Sequence, residues 1–326
     1  MIHAYDLYLM IRCFYAIVWN NMDPLSQLLS LLKPTSYITA GFDAGGAWSL
    51  ALDDLAGRIK CYAVVRGGCW LSLDGDAAPV CLSEGDCFVL PTGRSATIGS
   101  DPSLVPQRAS EVLDPNRSGN VVTYNGGGDT YLVGSRFEVS GRHADLLLGR
   151  LPPIIRIEGA GGQTRLRWCI NLMMEEMREK RPGFELLAQQ LAQMILVQAL
   201  RLYLANQTET DTGWLAGLAD PRIATALAAI HTEPAFPWTV EELARRSAMS
   251  RSTFSHLFTA KVSETPIAYL TRWRMMLAAE RLIGSGETIA RVAQSVGYAS
   301  EHAFNTAFRR SMGTSPRRYA REIGRA

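Results

Sequence analysis

Near the end of this 326-residue chain a pattern occurs twice, and it restricts the fold more than any other feature. Ser250-x3-Phe254-x3-Phe258 returns 50 positions later as Ser300-x3-Phe304-x3-Phe308. At the same offset Thr265-Pro266-x2-Tyr269 returns as Ser315-Pro316-x2-Tyr319. A run of matches at one fixed offset means two copies of one structural unit. Each copy predicts a short amphipathic helix (Val240–Ser247; Ile289–Val296) and a tight turn (Ala248-Met249; Gly297-Tyr298-Ala299). A serine follows where a helix needs an N-cap, its oxygen free to accept a backbone N–H. The second helix (Arg251–Lys261; Glu301–Ser311) sets its Phe residues at i and i+4, on one buried face.

Helix, short turn, capped helix is the helix-turn-helix pattern, whose second helix enters the DNA major groove. Between the copies, Thr265 caps a helix, Pro266 takes its first position, and Gly284 and Gly286 stop it after Leu282-Ile283. Such a spacer of ~18 residues is about 27 Å long. It could set two recognition helices roughly one DNA turn, ~34 Å, apart.

By position, Ser252, Thr253, Ser255 and His256 face out from the first recognition helix, and Phe254, Leu257 and Phe258 face in. In the second, Glu301, His302, Asn305 and Thr306 face out, and Phe304 and Phe308 face in. Asn can pair with adenine, Glu with the cytosine amino group and His with guanine, so these are candidate base readers, His256 and Asn305 foremost. Arg251, Arg309, Arg310, Arg317 and Arg318 suit phosphate contacts, which position without specifying sequence. The plain alternative is a solvated polar and basic face. Charge agrees with the DNA reading in sign only. The net charge of +2 divides at Asp220. From Asp220 to the end 15 Lys+Arg stand against 9 Asp+Glu, a balance of +6; the remaining 18 and 22 give −4.

Upstream, residues 36–140 predict strands at Ala47–Leu52, Ile59–Val65, Cys69–Leu73, Pro79–Leu82, Cys87–Leu90, Val121–Tyr124 and Tyr131–Val139. Turn signals such as Arg66-Gly67-Gly68 and Glu84-Gly85-Asp86 separate them, which indicates a barrel or double-sheet sandwich. Leu104–Gly119 reads as a mobile loop, and Leu151-Pro152-Pro153 closes the β region. Leu166–Lys180 and Phe184–Ala205 predict a helix pair broken at Pro182-Gly183, and Asn206–Gly213 a polar linker.

Residues 220–326 resemble the DNA-binding domain of the AraC/XylS family of bacterial transcription regulators. The resemblance rests on Leu243-Ala244, Met249-Ser250-Arg251-Ser252, Pro266-x2-Tyr269-Leu270 and Trp273-Arg274-Met275. It continues in Ile289-Ala290-x-Val292-Ala293, Val296-Gly297-Tyr298-x-Ser300, Phe308-Arg309-Arg310 and Gly313-Thr314-Ser315-Pro316. The front resembles, more loosely, a cupin-type domain found fused to such regulators. Its cues are Val65-Arg66-Gly67-Gly68-Cys69-Trp70-Leu71, Leu82-x2-Gly85-Asp86, Leu90-Pro91-x-Gly93, Leu151-Pro152 and Gly213-Trp214-Leu215.

The resemblance implies an α+β multidomain chain. A cupin-like β-barrel or sandwich (22–160) precedes a helical connector (161–213) and an all-α domain with two helix-turn-helix units joined by a long helix (214–326). It implies a non-enzymatic, cytoplasmic regulator that binds double-stranded DNA and responds to a small-molecule effector. The connector helices would make it a homodimer, and RNA polymerase would be a further partner. In the family an arginine is frequent where His256 and Thr306 stand, so this chain has a weaker case for guanine readout. Base preference could then lean on DNA shape.

A cupin-type metal enzyme with an ancillary DNA module is the alternative. Iron or zinc sites want imidazole with carboxylate or thiolate. Of His3, His143, His231, His256 and His302, none lies between Ser36 and Gly141, and Arg94 and Ser95 stand where a metal-binding cupin could offer His. No metal or other cofactor is therefore expected. Trp48, Tyr62 and Trp70 are the candidate effector-binding residues, with plain core packing as the alternative. Six dispersed cysteines read as buried apolar residues, or as a redox pair among Cys61, Cys69, Cys81 and Cys87. The apolar run Ala4–Trp19 carries Asp6 and Arg12 and is too short to span a bilayer. Residues 1–21 read as an upstream extension before a natural start at Met22.

Overall fold

Alternation along the front strands matches two sheets packed face to face. In β4 (Gly68–Leu73), Cys69, Leu71 and Leu73 are buried while Trp70 and Ser72 are half-buried on the other face. The computed structural model describes residues 23–53, 58–75, 78–113, 120–139, 151–159, 164–208, 211–284 and 287–323. The expectations for residues 1–21, and the residues His3, Cys13 and His143, lie outside these. The described chain divides into two units, one holding the sheets and one the C-terminal helices.

The remaining strands are β1 (Thr35–Ala44), β2 (Ser49–Leu52), β3 (Arg58–Arg66), β5 (Val80–Ser83), β6 (Cys87–Leu90), β7 (Ala96–Gly99), β8 (Gln107–Arg108), β9 (Val121–Tyr124), β10 (Thr130–Glu138) and β11 (Ile155–Ile157). One six-stranded sheet runs β11-β6-β3-β10-β1-β9, and one five-stranded sheet runs β5-β4-β7-β2-β8. Pairing is antiparallel except for β1 with β9 and β2 with β8. The core between the sheets is built from Trp48, Leu50, Leu52, Val64, Leu71, Leu82, Phe88, Leu90, Ile98 and Leu132. Such alternation is what a two-layer β architecture requires of its strands.

Two expectations are corrected here. β11 follows Leu151-Pro152-Pro153, so the β region does not close there; Ile155–Ile157 is short but pairs with Cys87–Val89. The segment expected to be a loop also holds β8 and a one-turn helix, α2 (Ala109–Val112), whose Ala109 is buried in the core. Strands this short leave almost no periodic signal.

Two long helices, α3 (Thr164–Glu179) and α4 (Phe184–Ala205), pack against each other, and α4 packs on β1, β6 and β11 within the same unit. The other unit contains α1 (Pro24–Leu32), capped by Asp23, and the C-terminal helices. Those are α5 (Trp214–Ala219), α6 (Pro221–Thr232), α7 (Val240–Arg246), α8 (Arg251–Val262), α9 (Pro266–Gly284), α10 (Ile289–Ser295), α11 (Glu301–Met312) and α12 (Pro316–Ile323). α1 buries Leu25, Leu28, Leu31 and Leu32 and contacts α6; Lys33 bonds Glu280 of α9.

Candidate nucleic-acid interface

Three hydroxyl caps occur in each repeat copy. Thr239 Oγ1 accepts from the Glu242 N–H (3.1 Å), Ser250 Oγ from Thr253 (3.3 Å) and Thr265 Oγ1 from Ala268 (3.4 Å). In the second copy Thr288 accepts from Arg291 (3.3 Å), Ser300 from Ala303 (3.2 Å) and Ser315 from Arg318 (3.4 Å). Each such cap is worth roughly 1 kcal/mol to its helix. The aromatic core repeats as well. Phe254 and Phe258 lie 5.6 Å apart, and Phe258 meets Tyr269 edge-on at 5.9 Å. Phe304 and Phe308 lie 5.5 Å apart, and Phe308 meets Tyr319 edge-on at 5.5 Å. All four Phe rings are fully buried.

With these rings turned inward, the expected DNA-facing side chains are left outside. Arg251, Ser252, Thr253 and His256 are exposed on α8, with Ser255 half-buried. Glu301, His302, Thr306, Arg309 and Arg310 are exposed on α11, with Asn305 half-buried. Leu257 is half-buried rather than buried. Arg317 and Arg318 are exposed at the start of α12.

The first helices of the two units, α7 and α10, are offset by 49 residues while the recognition helices are offset by 50, so the second turn is one residue longer. Both turns open on a left-handed residue, Ala248 (φ 53°) and Gly297 (φ 83°). Both close the preceding helix with the same long hydrogen bond, Met249 N–H to Ala244 O (2.9 Å) and Tyr298 N–H to Ala293 O (3.0 Å).

The sequence patterns held Arg274, Gly297 and Tyr298 but gave no sign that they join the copies. Arg274 on α9 donates from Nε to the Pro234 carbonyl (2.6 Å) and from Nη2 to that of Phe236 (2.8 Å), and lies over the Tyr298 ring at 5.8 Å. It thereby ties the loop before α7 to the turn of the second copy. A Cβ on Gly297 would meet the Ala235 carbonyl oxygen at 2.6 Å. Below the first copy, the Tyr269 hydroxyl lies 2.5 Å from His231 Nε2 and accepts from Trp214 Nε1 at 2.7 Å. His231 stacks on Trp273 with ring centres 3.7 Å apart. Burial, helped by the Arg272 charge, lowers the His231 pKa to about 3. Trp214, Tyr269 and Trp273 each belonged to a motif the sequence singled out, whereas His231 did not.

In the front unit the three candidate effector residues have different surroundings among the described residues. Trp48 is 2% exposed and meets Phe42 edge-on at 5.1 Å. Tyr62 stacks on Phe88 at 5.1 Å. Trp70 stands on the face of β4 turned from the core. Cys61 and Cys87 have Sγ atoms 3.8 Å apart, both buried, and their contact together with burial pushes the Cys87 thiol well up. Burial pushes the Cys69 thiol up to about 12. Among the described residues no cluster of three or more His, Cys, Asp or Glu could hold a metal ion. Among them, too, no helix is long and apolar enough to cross a membrane.

Residues 23–205 match the family described as Cupin, and residues 243–322 the family described as Helix-turn-helix domain. Over 300 residues the chain is 41% identical to an AraC-like transcription regulator of Streptomyces lividans, covering 91% of this chain and 98% of that one. It is 39% identical over 299 residues to an AraC-like transcription regulator of Streptomyces antibioticus, covering 91% and 98%. The HTH-type transcriptional regulator AlkR of Acinetobacter baylyi is 31% identical over 310 residues, covering 92% and 100%.

Proposed function

The chain belongs to the AraC-like transcription regulators, with a cupin domain ahead of a helix-turn-helix DNA-binding domain, and from that premise we propose how its residues share the recognition of DNA. α8 and α11 enter two successive major grooves of a promoter or operator. The 19-residue α9 between the copies, about 28 Å long, is their spacer. Ser252, Thr253, Ser255 and His256 on the first helix, and Glu301, His302, Asn305 and Thr306 on the second, read base edges. Arg251, Arg309, Arg310, Arg317 and Arg318 hold phosphates. One observation carries this assignment. Residues 251–260 and 301–310 have the same order of exposed, half-buried and buried positions, so each helix offers its polar positions in the same frame.

The working domains are 22–160 as sensor, 161–213 as connector and 214–326 as DNA reader. The sensor domain binds a small-molecule effector. An effector can move the protein between DNA-binding states only by preferring one of them. The chain works as a homodimer, and α4 is the surface that pairs. Leu186 (66% exposed), Leu187 and Met194 are apolar and uncovered on that helix. Self-pairing would match repeated operator half-sites. RNA polymerase is a further partner at the promoter, and the protein is cytoplasmic, on the nucleoid when bound.

Selection of DNA sequences from a random pool by the full chain, followed by affinity measurements, tests the assignment. His256→Ala should relax preference at one base pair, by about 1–3 kcal/mol, with the others unchanged. Arg309→Ala should weaken every sequence alike. Identical base preferences and identical salt dependence in the two variants would refute it.

A further inference from the structure

A cavity between the sheets of the sensor domain, lined by Phe42, Tyr62, Leu132 and Arg136 among others, measures about 50 Å³. Sites for small molecules usually measure ~300–1,000 Å³. A cleft of about 660 Å³ lies instead on the outside of the sandwich, where the end of β3 and the β5–β6 turn face α3. Val64, Val65, Leu166 and Ile170 give it apolar walls, and Glu84, Arg167, Trp168 and Asn171 also line it.

One wall of this cleft is held in place from behind. Asp86, 4% exposed, accepts from the Ser83 N–H (3.1 Å), the Gly159 N–H (2.9 Å) and Arg156 Nη2 (3.1 Å). The Gly85 N–H donates to the Val64 carbonyl (2.8 Å), and the Val64 N–H to that of Asp86 (2.8 Å). Gly85 has a φ of 91°, and a Cβ on Gly159 would lie 2.5 Å from the Gly85 carbonyl carbon. The two glycine backbones thus form a close, fixed rim. A wall braced in this way presents its groups without reorganising.

On the opposite side α3 supplies two groups that the fold itself does not use. Trp168 is 56% exposed. Arg167 makes no ion pair among the described residues, and its Nη2 lies 3.6 Å from where a Cβ on Gly85 would stand. Glu84 faces the same cleft, also without an ion pair among the described residues.

We propose that this outer cleft, rather than the sandwich interior, is the effector site, and that it takes a small organic monoanion with a flat apolar body. The ring system lies along Trp168 and the apolar wall, and the single anionic group meets Arg167. Glu84 disfavours a second negative charge. Stacking and a charge-assisted hydrogen bond are the interactions these groups supply. The proposal rests on the reading that this domain senses a small molecule.

The test uses the full chain and 2-naphthoate as probe, followed by thermal denaturation and tryptophan fluorescence. The probe should raise the Tm and quench the fluorescence. Arg167→Gln, at an exposed position, should leave the unliganded Tm unchanged and weaken binding about tenfold or more; Trp168→Ala should weaken it several-fold. The neutral 2-naphthalenemethanol should bind about tenfold more weakly than the acid. Naphthalene-2,6-dicarboxylate should bind poorly, and Glu84→Gln should recover it. Binding unchanged in both Arg167→Gln and Trp168→Ala, or no binding at millimolar probe, overturns the proposal. DNA affinity, measured alongside, separates the two readings. If naphthoate binds the cleft and DNA affinity does not move, the site stands and sensing fails. If DNA affinity responds equally in Arg167→Gln, sensing stands and the site fails.

Discussion

The two helix-turn-helix copies share caps, ring packing and exposure order, yet they differ in what they do with charge and backbone strain. In the first copy most basic side chains are engaged at home. Arg245 pairs with Glu242 at 2.5 Å, Arg246 lies over Trp238 at 5.0 Å and 3.8 Å from Glu233, and Lys261 reaches the Thr208 carbonyl at 3.4 Å. In the second copy Arg291, Arg309, Arg310, Arg317 and Arg321 make no ion pair among the described residues. Where the second copy has Arg317 and Arg318 after its proline, the first has Ile267, 39% exposed, and Ala268. Equal scaffolds therefore present unequal fields. Buried positions answer to packing, and both copies solve the same packing problem. Exposed positions answer only to what the surface meets.

The largest effect that would sharpen this comparison lies in the turns. Gly297→Ala places a Cβ against the Ala235 carbonyl and the Arg274 guanidinium at a φ of 83°. It should cost about 2–4 kcal/mol in urea unfolding. The matching change in the first copy, Ala248→Gly, removes a left-handed alanine and should shift stability by less than about 1 kcal/mol. Equal effects at the two positions would show that the turns are mechanically equivalent after all.

Next comes pH, because His231 braces Tyr269 of the first copy. The folded pKa lies near 3, below the ordinary 6.5. Below that ordinary value the unfolded chain takes up a proton that the folded chain refuses. The stability this site holds at neutral pH therefore falls as pH drops from about 6.5 towards 3. By about pH 5 the loss should reach roughly 2 kcal/mol. Denaturant midpoints across pH check it, and His231→Phe should flatten the curve. A curve that stays as steep in His231→Phe would place the acid sensitivity elsewhere.

The smallest effect per residue is electrostatic. Replacing Arg309, Arg310 and Arg317 together by Ala should reduce the slope of log affinity against log salt by roughly 2–3, about 0.9 for each phosphate that is no longer neutralised. Arg251→Ala in the first copy should change it by about 1 at most. Equal total reductions from the two replacements would mean that both copies neutralise phosphate to the same extent.

Much of the DNA-binding half was legible because its signals are local. Ser250 and Ser300 cap within three residues, and Phe254 with Phe258 or Phe304 with Phe308 mark a face within one turn. The front half was legible as strands of one architecture, but two strands inside the sheets, β1 and β7, and the edge strands β8 and β11 were not singled out. β8 and β11 hold two and three residues and carry no periodicity of their own. Trp48, Tyr62 and Trp70 looked alike as aromatic strand residues, yet one is core, one is stacked on Phe88 and one faces away. Neighbouring strands, not composition, separate those fates.

By itself the sequence determined that the chain ends in two capped helix-turn-helix copies, which polar residues each turns outward, and that strands precede them. Those properties follow from spacing within a few residues. The tertiary structure alone decided what joins distant stretches. Arg274 reaches the carbonyls of Pro234 and Phe236, His231 meets Tyr269, and Asp86 bonds Gly159 across 73 positions to brace the rim of an outer cleft. Such contacts carry no sequence period. They exist only once burial has brought the elements together and repaid the entropy of closing the loops between them.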